Sequence, residues 1–149
     1  MRTAWSGILV LGILVLGLLG AVTSPAALAG DVTGIWLTDD GEARIRIEQC
    51  GEGYCGRIAW LREPLDESGQ PKYDRYNEDE RLRERPIVGI SLIYDLRPTG
   101  PGAWGKGRIY NPRDGKSYRV SLRLSQPDEL AIEGCLLVFC RSQTWRRVE

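Results

Sequence analysis

Two segments at opposite ends of the chain constrain its architecture most: Thr33-Gly34-Ile35-Trp36-Leu37-Thr38, and Ser142 to Val148 with Thr144-Trp145-Arg146-Arg147 inside it. Both carry the β-branched and aromatic residues that suit a half-buried pleated surface. A sheet bounded by such matched strands can close on itself, and closure removes both rows of unpaired edge N–H and C=O groups. Six more strands are predicted between them. Ala43 to Glu48 alternates apolar and charged side chains after the turn Asp39-Asp40-Gly41, and Tyr54 to Leu61 follows with Gly56, Ile58 and Trp60 expected on one face. Ile87 to Leu96, Trp104 to Tyr110, Lys116 to Leu124 and Glu129 to Glu133 come next, separated by turns at Pro98 to Gly102, Asn111 to Gly115 and Gln126 to Asp128. The reading is all-β: an eight-stranded antiparallel up-and-down barrel, preferred over a Greek-key sandwich because the sandwich needs long crossovers.

The one long connection, Arg62 to Pro86, joins the third strand to the fourth. Asn77 to Glu84 predicts one short helix there, with Asn77 as N-cap, acids in the first turn and Pro86 as terminator. Leu82 is its only large apolar residue, so the helix belongs on the surface or across a barrel mouth.

Residues 1–29 read as a secretory signal peptide. Arg2 precedes an apolar run from Ile8 to Val22, and Ala27-Leu28-Ala29 supplies a small-x-small cleavage site before Gly30. Cleavage leaves residues 30–149 as a single barrel domain with no membrane span, in the periplasm or the medium. An uncleaved anchor is the alternative, but Gly12, Gly17, Gly20 and Pro25 interrupt the run.

All four cysteines lie in the exported part, as Cys50-Gly-Glu-Gly-Tyr-Cys55 and Cys135-Leu-Leu-Val-Phe-Cys140. In an oxidising compartment an even count implies disulfides, and three connectivities are open. Chain entropy favours the long loops, about 4 to 5 kcal/mol against ~2 for a six-residue loop. Geometry favours local pairs, because Gly51-Glu52-Gly53 is a turn that sets Cys50 opposite Cys55. Pairing Cys135 with Cys140 requires a compact or helical turn over Leu136 to Phe139, since five extended steps would separate them by about 17 Å. Zinc is disfavoured by the spacing and by export.

The exported part has 19 Lys and Arg against 20 Asp and Glu, a balance that argues against nucleic acid or an anionic membrane surface as main partner. The chain has no His, which removes the commonest general base and the commonest zinc ligand. Ser68, Ser91, Ser121 and Ser142 therefore lack an activating imidazole, and paired cysteines offer no thiolate. The acids of the long connection lack the calcium-loop spacing, and loop capping by Asp74 and Asn77 is the preferred reading. No enzyme, metal or cofactor is expected.

Several motifs together resemble an exported bacterial family known as domain of unknown function 2147. They are Cys50-Gly51-x-x-Tyr54-Cys55-Gly56-x-Ile58, Asp74-x-x-Asn77, and Leu82-Arg83-x-Arg85-Pro86-Ile87-x-Gly89. Trp104-x-x-Gly107-x-Ile109-Tyr110-x-Pro112-x-x-Gly115-Lys116-x-Tyr118 and Arg141-Ser142-Gln143-Thr144-Trp145-x-Arg147 complete the set. The resemblance covers residues 33 to 148 and implies a small secreted or periplasmic β-barrel. Gly34-x-Trp36 with Arg146 or Arg147 also resembles the lipocalin and calycin signature, in which the indole packs beside an Arg at the closed barrel end; Gly34, Trp36, Trp145, Arg146 and Arg147 are thus assigned to barrel closure.

Eight strands leave an interior just wide enough for one small molecule or for the barrel's own side chains. The first function expected is binding of a small apolar or amphiphilic ligand, with Trp36, Trp60, Tyr94, Trp104 and Tyr118 as candidate ligand-binding residues. The alternative is a solid barrel acting on a cell-envelope component by surface contact. Arg44, Arg46, Arg57, Arg108, Arg119 and Arg123 are placed on the outer face, paired with Glu42, Glu48 and Glu133. A monomer is expected.

Overall fold

The structure, a computed structural model, describes residues 30–149; the signal peptide expected at residues 1–29 lies outside the described residues. Eight strands form one closed antiparallel barrel in simple up-and-down order. They are β1 (Gly34–Leu37), β2 (Ala43–Cys50), β3 (Gly53–Leu61), β4 (Ser91–Gly100), β5 (Ala103–Asn111), β6 (Lys116–Gln126), β7 (Glu129–Leu136) and β8 (Phe139–Arg147). Closure runs where the sequence places it, with Trp36 opposite Arg147 and Leu37 opposite Arg146.

One end is sealed by the short β2–β3, β4–β5 and β6–β7 turns and by the chain leading into β1. Here the Trp36 indole donates to Val32 O at 2.9 Å, and the Arg147 guanidinium stacks 4.2 Å from the Trp36 ring centroid. The same guanidinium donates to the carbonyls of Thr33, Asp31 and Pro127 at 2.5, 2.7 and 3.0 Å. A cation over a desolvated indole adds about 1 to 2 kcal/mol, and the charge-assisted hydrogen bonds tie the chain before β1 and the β6–β7 turn to the last strand. Gly34 makes the close approach possible: its φ is 127°, and a Cβ there would lie 2.6 Å from Glu149 O and 2.7 Å from the Arg147 guanidinium. Arg147 is thus the arginine that meets the Trp, while Arg146 is exposed to solvent.

Ile47, Leu96, Trp104, Leu122, Leu124 and Leu130 fill this half of the barrel. Trp104 packs edge-to-face on Tyr54, ring centroids 6.1 Å apart.

Register shifts interrupt the ladder at several strand pairs, and the one in β3 changes which side chains point inward. Between the pairs Arg44–Trp60 and Ile45–Ile58, β3 carries one residue more than β2. That extra residue, Ala59, reverses the alternation, so Leu61 rather than Trp60 continues the inward face of Ile58. Trp60 therefore lies on the outer face, 39% exposed, with the Arg44 guanidinium 4.8 Å from its ring centroid. A second irregularity in β5 lies between Trp104 and Gly107, where Lys106 adopts a φ of 61°.

The outer arginines do not pair with Glu42, Glu48 and Glu133. Arg46 stands directly across from Arg57, and Arg108 from Arg119. Such like-charge pairs are tolerated because the long side chains splay to other acceptors. Arg57 reaches Gly89 O at 3.4 Å, Arg108 reaches Ser117 O at 3.5 Å and Arg119 reaches Leu137 O at 2.8 Å.

The short helix expected over Asn77 to Glu84 is only a 3-10 turn, Glu80–Leu82, capped by Asp79 rather than Asn77. Asn77 is committed elsewhere: its amide Nδ2 donates to Asp74 and Tyr110, its Oδ1 accepts from Asp79 N–H, and its carbonyl accepts from Arg83 Nε. With no apolar stripe to bury, nothing extends the turn. Ile87 to Ile90 belongs to the connection, which returns to the barrel through Ile58 N–H to Ile90 O and Gly89 N–H to Ile58 O.

The cysteines pair locally, Cys50 with Cys55 and Cys135 with Cys140. Cys50 and Cys55 are diagonal across the β2–β3 hairpin, since Cys55 opposes Glu48. Cys135 and Cys140 are directly opposed, Cα atoms 4.0 Å apart, because the chain reverses over Leu137 and Val138 with Leu137 at a φ of 55°. Among the described residues no helix is long and apolar enough to cross a membrane.

Candidate functional site

Above the packed half, the barrel holds a cavity of ≈ 840 Å³ that opens at the end bearing the β1–β2, β5–β6 and β7–β8 turns and the long connection. Its deep walls are apolar: Ile45, Ile58, Ile132 and Trp145, then Leu92 and Ile109. Ile45, Ile58, Ile109, Ile132 and Trp145 are inward members of their strands' alternation, while Leu92 sits at a register shift of β4 beside the likewise buried Ile93. Nearer the mouth come Ala43 and Leu61, then Leu136 and Phe139 of the disulfide-tied β7–β8 hairpin. Trp145 is 2% exposed, and its indole donates to Gln143 Oε1 at 3.0 Å.

The polar rim is largely committed to its own structure. Burial works against ionisation of Asp40, but the Glu42 N–H, the Thr38 hydroxyl and Arg113 outweigh it and hold the carboxyl below its usual range. Asp114 is similar: burial opposes its charge, and the Tyr118 hydroxyl, the Lys116 N–H and the Lys116 ammonium overcome that opposition. Donation to Asp114 in turn raises the Tyr118 phenol above its ordinary value.

The long connection is fastened to the barrel by a buried carboxylate. Asp74 is fully buried, accepting from the Tyr110 hydroxyl at 2.5 Å, Asn77 Nδ2 at 2.8 Å and Arg85 Nε and NH2 at 3.0 and 2.8 Å. Loss of solvent and then the bond to Asp74 push the Tyr110 phenol up to about 12. This latch sets Glu63, Lys72 and Ile87 into the cavity wall. Gly115 lets the β5–β6 hairpin lie against the connection, for a Cβ there would sit 1.8 Å from Tyr76 O. Of the capping role read from Asp74 and Asn77, only Asn77 fills it, through Oδ1 on the Asp79 N–H; the Asp74 carboxylate accepts from the side chains of Tyr110, Asn77 and Arg85 instead.

The five aromatics expected at a ligand site do not converge. Tyr118 borders the cavity, whereas Trp36 lies at the sealed end and Trp104 beneath the cavity beside Tyr54. Tyr94, opposite Arg108 on the outer register, holds Ser117 Oγ at 3.3 Å, and Trp60 is outside for the bulge reason given above. The sequence reading missed Arg141, Gln143 and Phe139, although the spacing Phe139-x-Arg141-x-Gln143-x-Trp145 puts all four on one strand face. Glu133, Cys135 and Cys140 are the one group among the described residues with potential metal-binding atoms within 4.8 Å of each other, and their disulfide leaves no thiolate to ligate.

A family model described as "Uncharacterized protein conserved in bacteria (DUF2147)" matches residues 34–147. The chain belongs to this family. In structure the DUF2147 chain is similar to one described as "Protein HP1028 from the human pathogen Helicobacter pylori belongs to the lipocalin family", with a TM-score of 0.68 at 22% identity over 80% of this chain and 84% of that one. At that identity the likeness carries the lipocalin-like fold alone. No curated protein matches the chain. The motifs that carry the DUF2147 resemblance meet in space: Asp74, Asn77, Arg85, Tyr110 and Gly115 form or flank the latch, and Gln143 and Trp145 line the cavity.

Proposed function

We propose that this DUF2147 protein is a non-catalytic carrier that holds a small, mainly apolar molecule in the open half of its barrel. The observation that carries the reading is the cavity itself: ≈ 840 Å³ falls within the roughly 300 to 1,000 Å³ typical of ligand sites, and its depth is apolar. The site is Ile45, Ile58, Ile132 and Trp145 in the depth, with Tyr118 and Arg141 toward the mouth. Binding is favoured over catalysis because the chain has no His and the rim carboxylates are held ionised by structural donors. A solid barrel acting only by surface contact is disfavoured, since it needs the upper half filled. Two disulfides in a bacterial family fit an oxidising compartment outside the cytoplasm, reached through the signal peptide we assign to residues 1–29.

The test is titration of the oxidised protein with the neutral fluorescent probe N-phenyl-1-naphthylamine. A saturable rise in probe emission is expected, weakened at least tenfold by Gly134→Leu, whose Cβ would make ordinary van der Waals contact with the Ile109 and Tyr118 side chains at 3.9 and 4.0 Å, so the position accepts a side chain without a backbone clash. Ile132→Trp fills the same space from a neighbouring position. Absence of saturable binding by the parent protein would sink the proposal.

A further inference from the structure

The cavity's charges sort into partners, and one is left over. Asp40 meets Arg113 at 3.1 Å, Glu42 meets Arg62 at 3.7 Å and Glu63 meets Lys72 at 3.6 Å. Asp114 accepts the Tyr118 hydroxyl and has Lys116 beside it. Arg141 lines the same cavity, and among the described residues no carboxylate stands within ion-pair distance of it.

Its direction follows from the strand. Phe139, Arg141, Gln143 and Trp145 alternate along β8 and all four border the cavity. Directly across on β7 stands Gly134, which has no side chain to occupy the space beside the guanidinium. The Arg141 charge acts on the Tyr118 phenol, which lies on the same side of the lumen. Below this cation come Gln143, whose Oε1 holds the Trp145 indole, and then the apolar Ile45, Ile58, Ile132 and Trp145.

We propose that the cavity selects a single-headed anionic amphiphile, such as a long-chain carboxylate, with its head at Arg141 and its chain among those four residues. The inference rests on the binding reading above and names the ligand class for that site. A guanidinium offers a planar fork of donors that a carboxylate accepts in bidentate fashion. Arg141 is solvent-exposed at the mouth, so the attraction is that of a partly solvated pair. A neutral head leaves the cation unanswered, and a cationic head is repelled, so selectivity has a repulsive side as well.

The experiment compares dodecanoate with dodecanol at pH 7, each displacing N-phenyl-1-naphthylamine from the oxidised protein. Dodecanoate is expected to bind about tenfold tighter, the increment of one partly solvated charge-assisted pair. Arg141→Gln should erase that preference by weakening dodecanoate alone, with dodecanol changed by less than about twofold. Arg141→Lys, which keeps the charge but not the fork, should retain part of it. High salt should narrow the gap in the parent protein and leave Arg141→Gln unmoved. Equal affinity for the two ligands, or a preference that survives Arg141→Gln, overturns the anion assignment while the carrier reading stands. Failure of the naphthylamine probe to bind defeats both.

Discussion

Replacing Asp74 tests whether the latch holds the long connection on the barrel. Asp74→Ala removes an acceptor serving three donor groups at once: the Tyr110 hydroxyl, Asn77 Nδ2 and the Arg85 guanidinium. Breaking a buried charged pair by deleting one member costs about 3 to 5 kcal/mol, mostly because the other charge is stranded. Here the stranded charge is not fully buried: the Arg85 side chain is 37% exposed and can turn to water, which places the ionic part at the low end of that range. Tyr110 loses its acceptor in a site where only 5% of it is exposed, adding about 1 kcal/mol, while Asn77 Nδ2 keeps Tyr110 Oη at 3.1 Å. The terms overlap, so the expected loss is about 3 to 4 kcal/mol. For a domain of this size that lowers Tm by about 12 to 15 °C. Asp74→Asn keeps the shape but loses the charge and should fall between parent and Ala. Thermal unfolding at pH 7 measures the loss. Phenolate absorbance gives an independent reading, because Tyr110 should titrate below its parent value of about 12 yet above an exposed tyrosine, burial being the larger cause of its shift. A Tm drop under about 4 °C together with an unmoved Tyr110 titration would refute the latch.

The same phenol predicts an alkaline signature. Its folded pKa of about 12 exceeds the unfolded 10.0, so its contribution is complete below pH 10 and lost between about pH 10 and 12, where the unfolded chain ionises first. The loss totals about 2 to 3 kcal/mol, and Tyr110→Phe should flatten that part of the stability profile in denaturant titrations; an unchanged slope would assign it to another group. At the sealed end, Arg147→Ala should cost about 3 kcal/mol through three carbonyl bonds and the stacked Trp36, against less than about 0.5 for the exposed neighbour Arg146→Ala. Comparable losses for the two in chemical unfolding would refute the choice of Arg147 as closing arginine.

The barrel was legible because its signals are local. Alternation in Ala43 to Glu48 and Lys116 to Leu124, and turn residues at Asp39 to Gly41 and Asn111 to Gly115, each fix a strand or a reversal within a few positions. What escaped depends on relations between distant segments. Ala59 has no property that marks a bulge, yet by lodging one extra residue opposite β2 it moves Trp60 from the lumen to the surface. Asp74 sits in a polar loop where an acid is expected in water, and it is buried only because Tyr110, 36 residues on, and Arg85, 11 residues on, arrive to satisfy it. Arg141 was hidden by starting the last strand at Ser142 rather than Phe139, which cut the inward series before its charged member.

These misses share a location, and it separates two jobs along the barrel axis. The sealed half is stabilised by contacts legible from Gly34, Trp36 and the final arginines, and its buried side chains pack together as part of one core. The open half departs from simple alternation: Ala59 turns Trp60 out of the lumen, and Gly134 leaves a gap where a side chain would enter it. If the upper half existed only for stability, a Leu or Ile in place of Gly134 would fill it, gaining about 1.5 to 3 kcal/mol of burial. A wall that forgoes that gain while setting an unanswered cation over apolar depth is shaped for a molecule that supplies both the missing volume and the missing charge. The mouth should therefore tolerate substitutions that enlarge it at little cost in Tm, while filling substitutions such as Gly134→Leu should raise Tm and lower ligand affinity together, a trade-off expected of a binding site and not of a core.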